Sequence, residues 1–167
     1  MYSKIIVPLD GSPFAERVLP HVEALAAKFG SVLVLVSIVP VRAMLAGQSL
    51  VAASMVPVDS QYVDVAGSMD AEEQRARDYL DITATRLRSK GLRVECAWAE
   101  GRPAEEVVGQ AIYRHADLIA MTTHGRGGLS RLFMGSVADE VLHLSPCPVL
   151  LVRNVEAPVF EDSDKGI

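Results

Sequence analysis

Hydrophobic residues along the chain are concentrated in five short runs, separated by longer stretches in which apolar residues recur at helical spacing. The runs are Lys4–Leu9, Val32–Val39, Leu92–Ala99, Asp117–Met121 and Val149–Val152. Four of them are nearly continuous in apolar residues, which is typical of strands buried on both faces of a parallel sheet. The third run alternates polar and apolar residues, and this alternation predicts a half-exposed edge strand.

The stretches between the runs have the 3.6-residue periodicity of amphipathic helices. We predict four helices, at Ser12–Phe29, Ala71–Lys90, Pro103–His115 and Ser136–Leu144. In the first helix Ser12 is suited to be the N-cap, and Gly30 is suited to end the helix. The last helix opens with Ser-Val-Ala-Asp, which fits a capping box between Ser136 and Asp139.

Strands and helices therefore alternate from the first run to the last. This order predicts a single α/β domain with an open, mostly parallel five-stranded sheet and helices on both faces. We place the domain at residues 1–153 and interpret residues 41–69 as a long loop within it, of the kind that is functional or mobile. Residues 154–167 form a polar C-terminal tail.

Composition narrows the class of protein. The chain has 167 residues, of which 50% are hydrophobic and 22% are charged, enough apolar material for a sizeable core. A net charge of -5 argues against nucleic acid or an anionic membrane as a partner. The longest apolar stretch, Ser31–Val41, is about half the length that a bilayer requires. Two cysteines, Cys96 and Cys147, fit a reducing, cytoplasmic location.

The most unusual segment lies between the fourth run and the fourth helix. Three glycines and two arginines occur in it: Gly125, Arg126, Gly127, Gly128 and Arg131. Gly135 and Ser136 then open a helix whose first N–H groups have no partner within the helix. Ligands of open parallel sheets bind beyond the carboxyl ends of the strands, and such a segment suits a phosphate. Alternatively, the glycines only allow the loop to turn, and Ser136 only caps its own helix.

Four motifs in fixed order carry a family resemblance. They are Val7-Pro-Leu-Asp-Gly-Ser12, Gly101-Arg-Pro-Ala-Glu-Glu106, Thr123-His-Gly125 with nine residues before Gly135-Ser136, and Pro146-Cys-Pro-Val-Leu-Leu-Val-Arg153. Over roughly Lys4 to Arg153, the sequence resembles the universal stress protein family. ATP-binding members of that family carry Gly-x-x-Gly, nine residues, and Gly-Ser or Gly-Thr. Here Thr122 stands in place of the first glycine.

The resemblance implies a Rossmann-like fold of the adenine nucleotide alpha hydrolase type, with strand order 3-2-1-4-5. It also implies ATP as the ligand, with Mg²⁺ as its possible companion, and a role in stress response or signalling. A homodimer through the last strand, Val149–Val152, is implied as well. The same strand is apolar on both faces, which leaves an unprotected sheet edge. Unknown client proteins are further possible partners.

The resemblance also implies roles for individual residues. Asp10 would accept hydrogen bonds from the ribose hydroxyls, Ile38 would contact adenine, and Met121 would line the base or sugar pocket. An Asx-type turn at Asp10 and core packing of Ile38 and Met121 are the alternatives. The complete set of nucleotide-binding residues implied in this way is Pro8, Leu9, Asp10, Ile38, Met121, Thr122, His124, Gly125, Arg126, Gly128, Gly135, Ser136 and Val137.

Motifs of other nucleotide-binding and catalytic classes do not match. The glycine-rich segment contains no lysine, which a P-loop requires, and no Gly-x-Ser-x-Gly elbow occurs. A receiver domain would need an acidic pair after the first strand, where Asp10 stands alone. We predict no catalytic residue and no metal site, and we favour a nucleotide-binding protein over an enzyme, with slow ATP hydrolysis left open. The competing hypothesis is a protein–protein interaction module that binds no nucleotide.

Overall fold

A computed structural model of the protein describes residues 1–40, 65–123 and 135–153. The strands are β1 (Lys4–Pro8), β2 (Val32–Pro40), β3 (Arg93–Gly101), β4 (Leu118–Thr123) and β5 (Val149–Arg153). The α-helices are α1 (Leu19–Phe29), α2 (Val65–Arg88), α3 (Pro103–Tyr113) and α4 (Ser136–Leu144). A short 3₁₀-helix, Ala15–Val18, precedes α1.

The strands form one parallel sheet in the order β3-β2-β1-β4-β5, which confirms the predicted fold class and strand order. Helices cover both faces. Val22 of α1 and Leu80 of α2 are buried in the core on one face. Val107 of α3 and Val141 of α4 are buried in the core on the other. Because β1 lies in the middle, the strand order reverses between β1 and β4, and ligand sites of open sheets occur at this point.

The predicted first helix is divided in two. Residues 15–18 form the 3₁₀-helix, and the α-helix starts only at Leu19. Pro20 gives the physical reason, since it has no N–H to donate and its ring would collide with the carbonyl of Glu16 in a continuous α-helix. Ser12 is therefore not the N-cap, a position that Phe14 and Val18 hold in the two helices. Its hydroxyl oxygen nevertheless accepts the N–H of Ala15 at 3.1 Å. Gly30 ends α1 in the left-handed conformation, as predicted, with φ 65°.

The second helix begins earlier than its periodicity predicts. It starts at Val65 rather than Ala71, so residues 65–69, predicted as the end of the long loop, are helical. Gly67 and Ser68 are weak helix formers, which is why the sequence placed the start later. The rest of the predicted loop and the C-terminal tail lie outside the described residues. None of the described helices combines the length and the apolar character that crossing a bilayer requires.

Candidate functional site

Pro8, at the end of β1, ends the pairing of β1 with its neighbour β4. The last hydrogen bond between β1 and β2 runs from the Leu9 N–H to the Val36 carbonyl, at 2.8 Å. Because backbone groups of a strand alternate between its two sides, Ile6 and Pro8 present theirs to β4. Pairing of β1 with β4 stops at Ile6 and Ile119, since Pro8 has no N–H for the next hydrogen bond. Beyond this point β1 and β4 are free to part.

A cavity of about 460 Å³ opens where these strands part. Its walls come from the ends of β1, β2 and β4 and from the first turns of α3 and α4. The lining residues are Pro8, Leu9, Asp10, Ala15, Val36, Ile38, Pro103, Val107, Met121, Thr122, Gly135, Ser136, Val137 and Ala138. Most of the lining is apolar, and Asp10 is its one charged side chain among the described residues. The cavity therefore suits a ligand with a flat apolar part and a few polar groups.

Nine of the thirteen residues predicted for the site line this cavity. They are Pro8, Leu9, Asp10, Ile38, Met121, Thr122, Gly135, Ser136 and Val137. The other four, His124, Gly125, Arg126 and Gly128, lie outside the described residues. The structure thus brings together residues from three strands and one helix that are more than a hundred positions apart in the chain.

Sequence reasoning missed five lining residues: Ala15, Val36, Pro103, Val107 and Ala138. Pro103 and Val107 belong to α3, which packs beside α4 over the sheet. A signal for them was present, because Pro103 lies in the Gly101–Glu106 motif that supported the family resemblance without being given a role. Val36 also carried a signal, as it precedes Ile38 by two residues and shares its face of β2.

Asp10 lies in a turn that fixes one of its carboxylate oxygens. Its Oδ1 accepts the Ser12 N–H at 2.9 Å, which is the Asx turn that the sequence allowed. Gly11 adopts φ 77° between them, a left-handed conformation that favours glycine. Among the described residues, none donates a hydrogen bond to Oδ2 of this exposed side chain. The turn therefore orients the carboxylate and leaves one oxygen as an acceptor for a ligand.

Ile38 offers a pair of backbone groups beside the cavity. On β2, Val32 donates its N–H to Ser3 and Val36 accepts from Leu9, so the even-numbered residues face β1. Ile38 is the next residue with this orientation, but β1 has already ended at Pro8. Its N–H and C=O therefore point past the end of β1 and, among the described residues, pair with no backbone group there. Together they form an adjacent donor and acceptor on the cavity wall.

The N-terminus of α4 forms the opposite wall. Gly135 is the N-cap and has no side chain. Its backbone has φ -56° and ψ 141°, a conformation that any residue can adopt. The predicted capping box is therefore wrong, because Ser136 is the first helical residue and the N-cap position belongs to Gly135, which has no side chain. The carbonyl of Gly135 instead accepts the Asp139 N–H at 3.0 Å. Within the described parts of the chain, the first N–H groups of the helix and the Ser136 hydroxyl remain available at the cavity wall.

A hydrogen-bonded network between α2 and the 3₁₀-helix holds the 3₁₀-helix in place beside the cavity. The Tyr79 hydroxyl donates to Glu16 Oε1 at 3.2 Å, and Arg86 Nη2 lies 2.8 Å from Glu16 Oε2. Burial, followed by the charge of Glu16, raises the pKa of Tyr79 to about 12. Tyr79 is therefore a neutral donor at physiological pH. Ala15, which lines the cavity, is the neighbour of Glu16 in the 3₁₀-helix. The network therefore connects α2 to the wall of the cavity.

No group of three or more His, Cys, Asp or Glu side chains within the described residues is arranged to hold a metal ion. Both cysteines are free thiols, and each is partly buried. Burial raises the pKa of the Cys96 thiol, while nearby Arg88 opposes the shift. Cys96 is therefore predominantly protonated at neutral pH, which does not favour a nucleophilic role.

Fold and site together define a Rossmann-like α/β protein with a cavity at the switch point of its parallel sheet. The sequence profile of the universal stress protein family matches residues 1–153, and the chain belongs to this family. A universal stress protein of Thermus aquaticus is 32% identical over 154 residues, which cover 92% of this chain and 100% of that protein.

Two solved structures share this fold. The protein MJ0577 of Methanocaldococcus jannaschii superposes with a TM-score of 0.75 at 25% identity and covers 94% of this chain and 99% of its own. A universal stress protein of Archaeoglobus fulgidus, solved in complex with dAMP, superposes with a TM-score of 0.59 at 21% identity. It covers 90% of this chain and 97% of its own, and at this identity the likeness shows the fold alone.

Proposed function

We propose that this universal stress protein binds ATP in the switch-point cavity and acts in stress response or signalling as a cytoplasmic homodimer. The observation that carries the proposal is the arrangement of three polar features around one apolar cavity. These are the Ile38 backbone pair, the free oxygen of Asp10 and the N-terminus of α4. They correspond to the base, the sugar and the phosphates of a nucleotide.

The cavity wall near β2 favours adenine. An adenine ring presents a donor at its amino group beside an acceptor at N1. The Ile38 C=O can accept from the amino group while the Ile38 N–H donates to N1. Val36 and Val107, which are buried around the cavity, supply apolar surface for the ring. Guanine has the opposite order of donor and acceptor on this edge, so the wall discriminates between the two purines.

The remaining features fit the sugar and the phosphates. Asp10 Oδ2 is an acceptor for a ribose hydroxyl, and the first N–H groups of α4 with the Ser136 hydroxyl are donors for phosphate oxygens. Gly135 places no side chain between a phosphate and these donors. The predicted phosphate ligands Gly125 and Arg126 would complete the site from the glycine-rich segment. Mg²⁺ would enter with the triphosphate, held by its phosphate oxygens.

We favour a binding protein over an enzyme because the described lining does not pair a nucleophile with a base. Asp10 is the charged group of the lining, and its fixed oxygen is directed into its own turn. A water molecule attacking a phosphate would need a base near the phosphates, whereas Asp10 lies at the end of the cavity proposed for the sugar. Slow hydrolysis of bound ATP is compatible with this geometry.

The proposed dimer uses the free edge of β5. Residues Val149–Val152 are only half-buried although they are all apolar, and β5 ends the sheet. Two copies of this edge, related by a two-fold axis, would pair antiparallel and cover each other's apolar side chains. A stable interface of this kind buries about 1,200–2,000 Å² in total.

Thr122 supports the alternative, an interaction module that binds no nucleotide. It lies on the cavity wall at the position where ATP-binding relatives have glycine. Its β-branched side chain occupies space that a sugar or phosphate would need. The two proposals therefore differ in whether ATP enters the cavity.

The decisive experiment has two parts. Purified protein is heat-denatured, and its supernatant is analysed on an anion-exchange column for co-purified nucleotide. Nucleotide-free protein is then titrated by calorimetry with ATP, ADP, dAMP and GTP, with Mg²⁺ and with EDTA. We expect adenine nucleotides to bind and GTP to bind at least tenfold more weakly. Absence of bound nucleotide, together with no heat at millimolar ATP, would leave the interaction module as the function.

A further inference from the structure

An arginine beside the cavity is held by two carboxylates from different helices. Arg102 Nη2 lies 3.1 Å from Glu140 Oε1 on α4, and its Nη1 contacts Glu105 Oε1 on α3. Arg102 is the N-cap of α3 and immediately precedes Pro103, which lines the cavity. The ion pairs therefore bridge the two helices whose first turns form one wall of the cavity.

The contact with Glu140 places the guanidinium close to the N-terminus of α4. Glu140 is four residues after Ser136, so both lie on the same face of the helix. Helical side chains lean toward the N-terminus of their helix, which carries the Glu140 carboxylate over the turn that contains Ser136. A guanidinium bonded to this carboxylate is therefore within side-chain reach of the position proposed for the phosphates.

The described part of the lining contains no cation that would offset the charge of a phosphate. Asp10 is the charged lining residue among those described, and it is negative. A polyphosphate would add two to four further negative charges beside it. The dipole of α4 supplies only about half a positive charge. Arg102 directly adjoins the described lining and provides a full positive charge in a fork geometry that matches phosphate oxygens.

The ion pairs of Arg102 are easy to exchange. Its side chain is 68% exposed, and those of Glu105 and Glu140 are 50% and 38% exposed. Exposed ion pairs contribute little to stability because water screens them and ordering the side chains costs entropy. A terminal phosphate group carries more negative charge and one more acceptor oxygen than either carboxylate. A bound phosphate can therefore displace Glu140 without disturbing the fold.

Resting on the proposed function, we propose that Arg102 is a specificity-determining residue that selects phosphorylated ligands over nucleosides. In the free protein its guanidinium binds Glu105 and Glu140. In the complex it binds phosphate oxygens of the ligand, and Glu140 competes with the ligand for it. Glu140 thereby sets the affinity for phosphate from outside the cavity.

The test compares ATP, AMP and adenosine by calorimetry in the full-length protein and its variants. Arg102→Gln should weaken ATP by about tenfold, the loss expected for one charge-assisted contact, and leave adenosine unchanged. Arg102→Lys should retain part of the preference. Glu140→Gln should tighten ATP by about twofold to fivefold, because the competing acceptor loses its charge. In the double variant Arg102→Gln/Glu140→Gln, the Glu140 effect should disappear.

Arg114→Gln is the matched control. Arg114 Nη1 forms a 2.9 Å ion pair with Glu95 at the far end of α3, about 18 Å from Arg102 by helical rise. This variant should leave all three affinities unchanged. Arg126→Gln tests the competing cation in the glycine-rich segment, and its effect should add to that of Arg102→Gln.

The possible failures are distinguishable. If the wild type binds neither ATP nor adenosine, the proposed function is wrong, and the role of Arg102 with it. If the wild type binds ATP but Arg102→Gln has the same ratio of ATP to adenosine affinity, Arg102 does not select phosphate. If Glu140→Gln has no effect, or keeps its effect in the double variant, the competition between Glu140 and the ligand is wrong. Thermal melting of each variant checks that it is folded.

Discussion

Ser3 donates two hydrogen bonds to the carboxylate of Asp117, one from its N–H at 2.8 Å and one from its hydroxyl at 2.7 Å, both to Oδ2. The Lys4 N–H donates to Oδ1 of the same carboxylate at 3.2 Å. These contacts join the start of β1 to the start of β4. They lie at the amino ends of the two strands. The cavity lies at the carboxyl ends, where the same two strands part. One end of this strand pair is thus closed by a side chain while the other end is open.

Asp117→Ala should destabilise the protein without changing the cavity. Removing the carboxylate leaves the N–H groups of Ser3 and Lys4 without their acceptor, which should cost roughly 1–2 kcal/mol of unfolding free energy. Urea denaturation followed by circular dichroism measures this difference. Asp139→Ala is the control, because that carboxylate is exposed on α4 and, among the described residues, its recorded ion-pair partner is His143, at 3.9 Å. Equal stability of the Asp117→Ala protein and the wild type would contradict the prediction.

The Asp117 carboxylate should also make the free energy of unfolding depend on pH in the acid range. Burial opposes ionisation, but the hydrogen bonds from Ser3 and Lys4 and the charge of the N-terminus outweigh it and lower the pKa of Asp117. A lowered pKa contributes stability that is present above the pKa of the unfolded chain and is lost as pH falls through the folded value. The difference in unfolding free energy between wild type and Asp117→Ala should be constant from pH 7 to about 5 and shrink below about 4. A difference that grows on acidification would show the opposite sign.

Gly135→Val should weaken ATP by at least about tenfold, or ~1.4 kcal/mol. The backbone at Gly135 requires no left-handed conformation, so a side chain there obstructs the ligand rather than the turn. Asp10→Ala should weaken ATP less, since about one or two ribose hydrogen bonds are lost. Gly109→Val controls for glycine replacement, because a Cβ at this exposed site of α3 meets no atom within 4 Å. Wild-type affinity in a folded Gly135→Val protein would remove the phosphate assignment.

Thr122→Ala should tighten ATP severalfold. The change removes a methyl and a hydroxyl from the cavity wall while keeping the strand residue that pairs with Val152 of β5. Calorimetry with ATP measures the effect, and Thr122→Val, which keeps the bulk, is the matched control. Weaker binding to the alanine variant than to the valine variant would show that space at this position does not limit the ligand.

Leu151→Pro should abolish the proposed dimer, whereas Leu150→Pro should unfold or destabilise the monomer. The Ile119 N–H donates to the Pro148 carbonyl at 3.0 Å, so even-numbered residues of β5 face β4. The backbone groups of Leu150 are therefore used within the sheet, and those of Leu151 face the free edge. Proline is tolerated at edge positions that face outward but removes a ladder hydrogen bond elsewhere.

Light scattering at micromolar concentration tests this pair of variants. We expect about twice 18.0 kDa for the wild type and about 18.0 kDa for Leu151→Pro, with the circular dichroism spectrum of the variant unchanged. A monomeric wild type would remove the dimer from the proposed function. A folded Leu151→Pro protein that still forms dimers would show that the interface lies elsewhere.

The sequence by itself determined the elements of this protein and their order. Continuous apolar runs such as Val32–Val39 predict buried parallel strands, and helical periodicity predicts the crossovers, because both patterns follow from which residues need to be covered. Its motifs also predicted nine residues that the structure brings together at the cavity. Local exceptions such as the break before Leu19 were within reach too, since Pro20 is visible in the sequence.

Only the tertiary structure decided which backbone groups are left open. Whether Ile38 faces β1 or β3, and whether Leu150 or Leu151 faces the free edge, depends on register between strands, and a shift of one residue reverses the answer. Likewise, Pro8 opens the cavity only because it faces β4 rather than β2. Arg102 meets Glu140 across 38 positions of sequence, through the packing of α3 beside α4. Periodicity is a property of neighbours along the chain, whereas register and helix pairing arise only when distant segments meet.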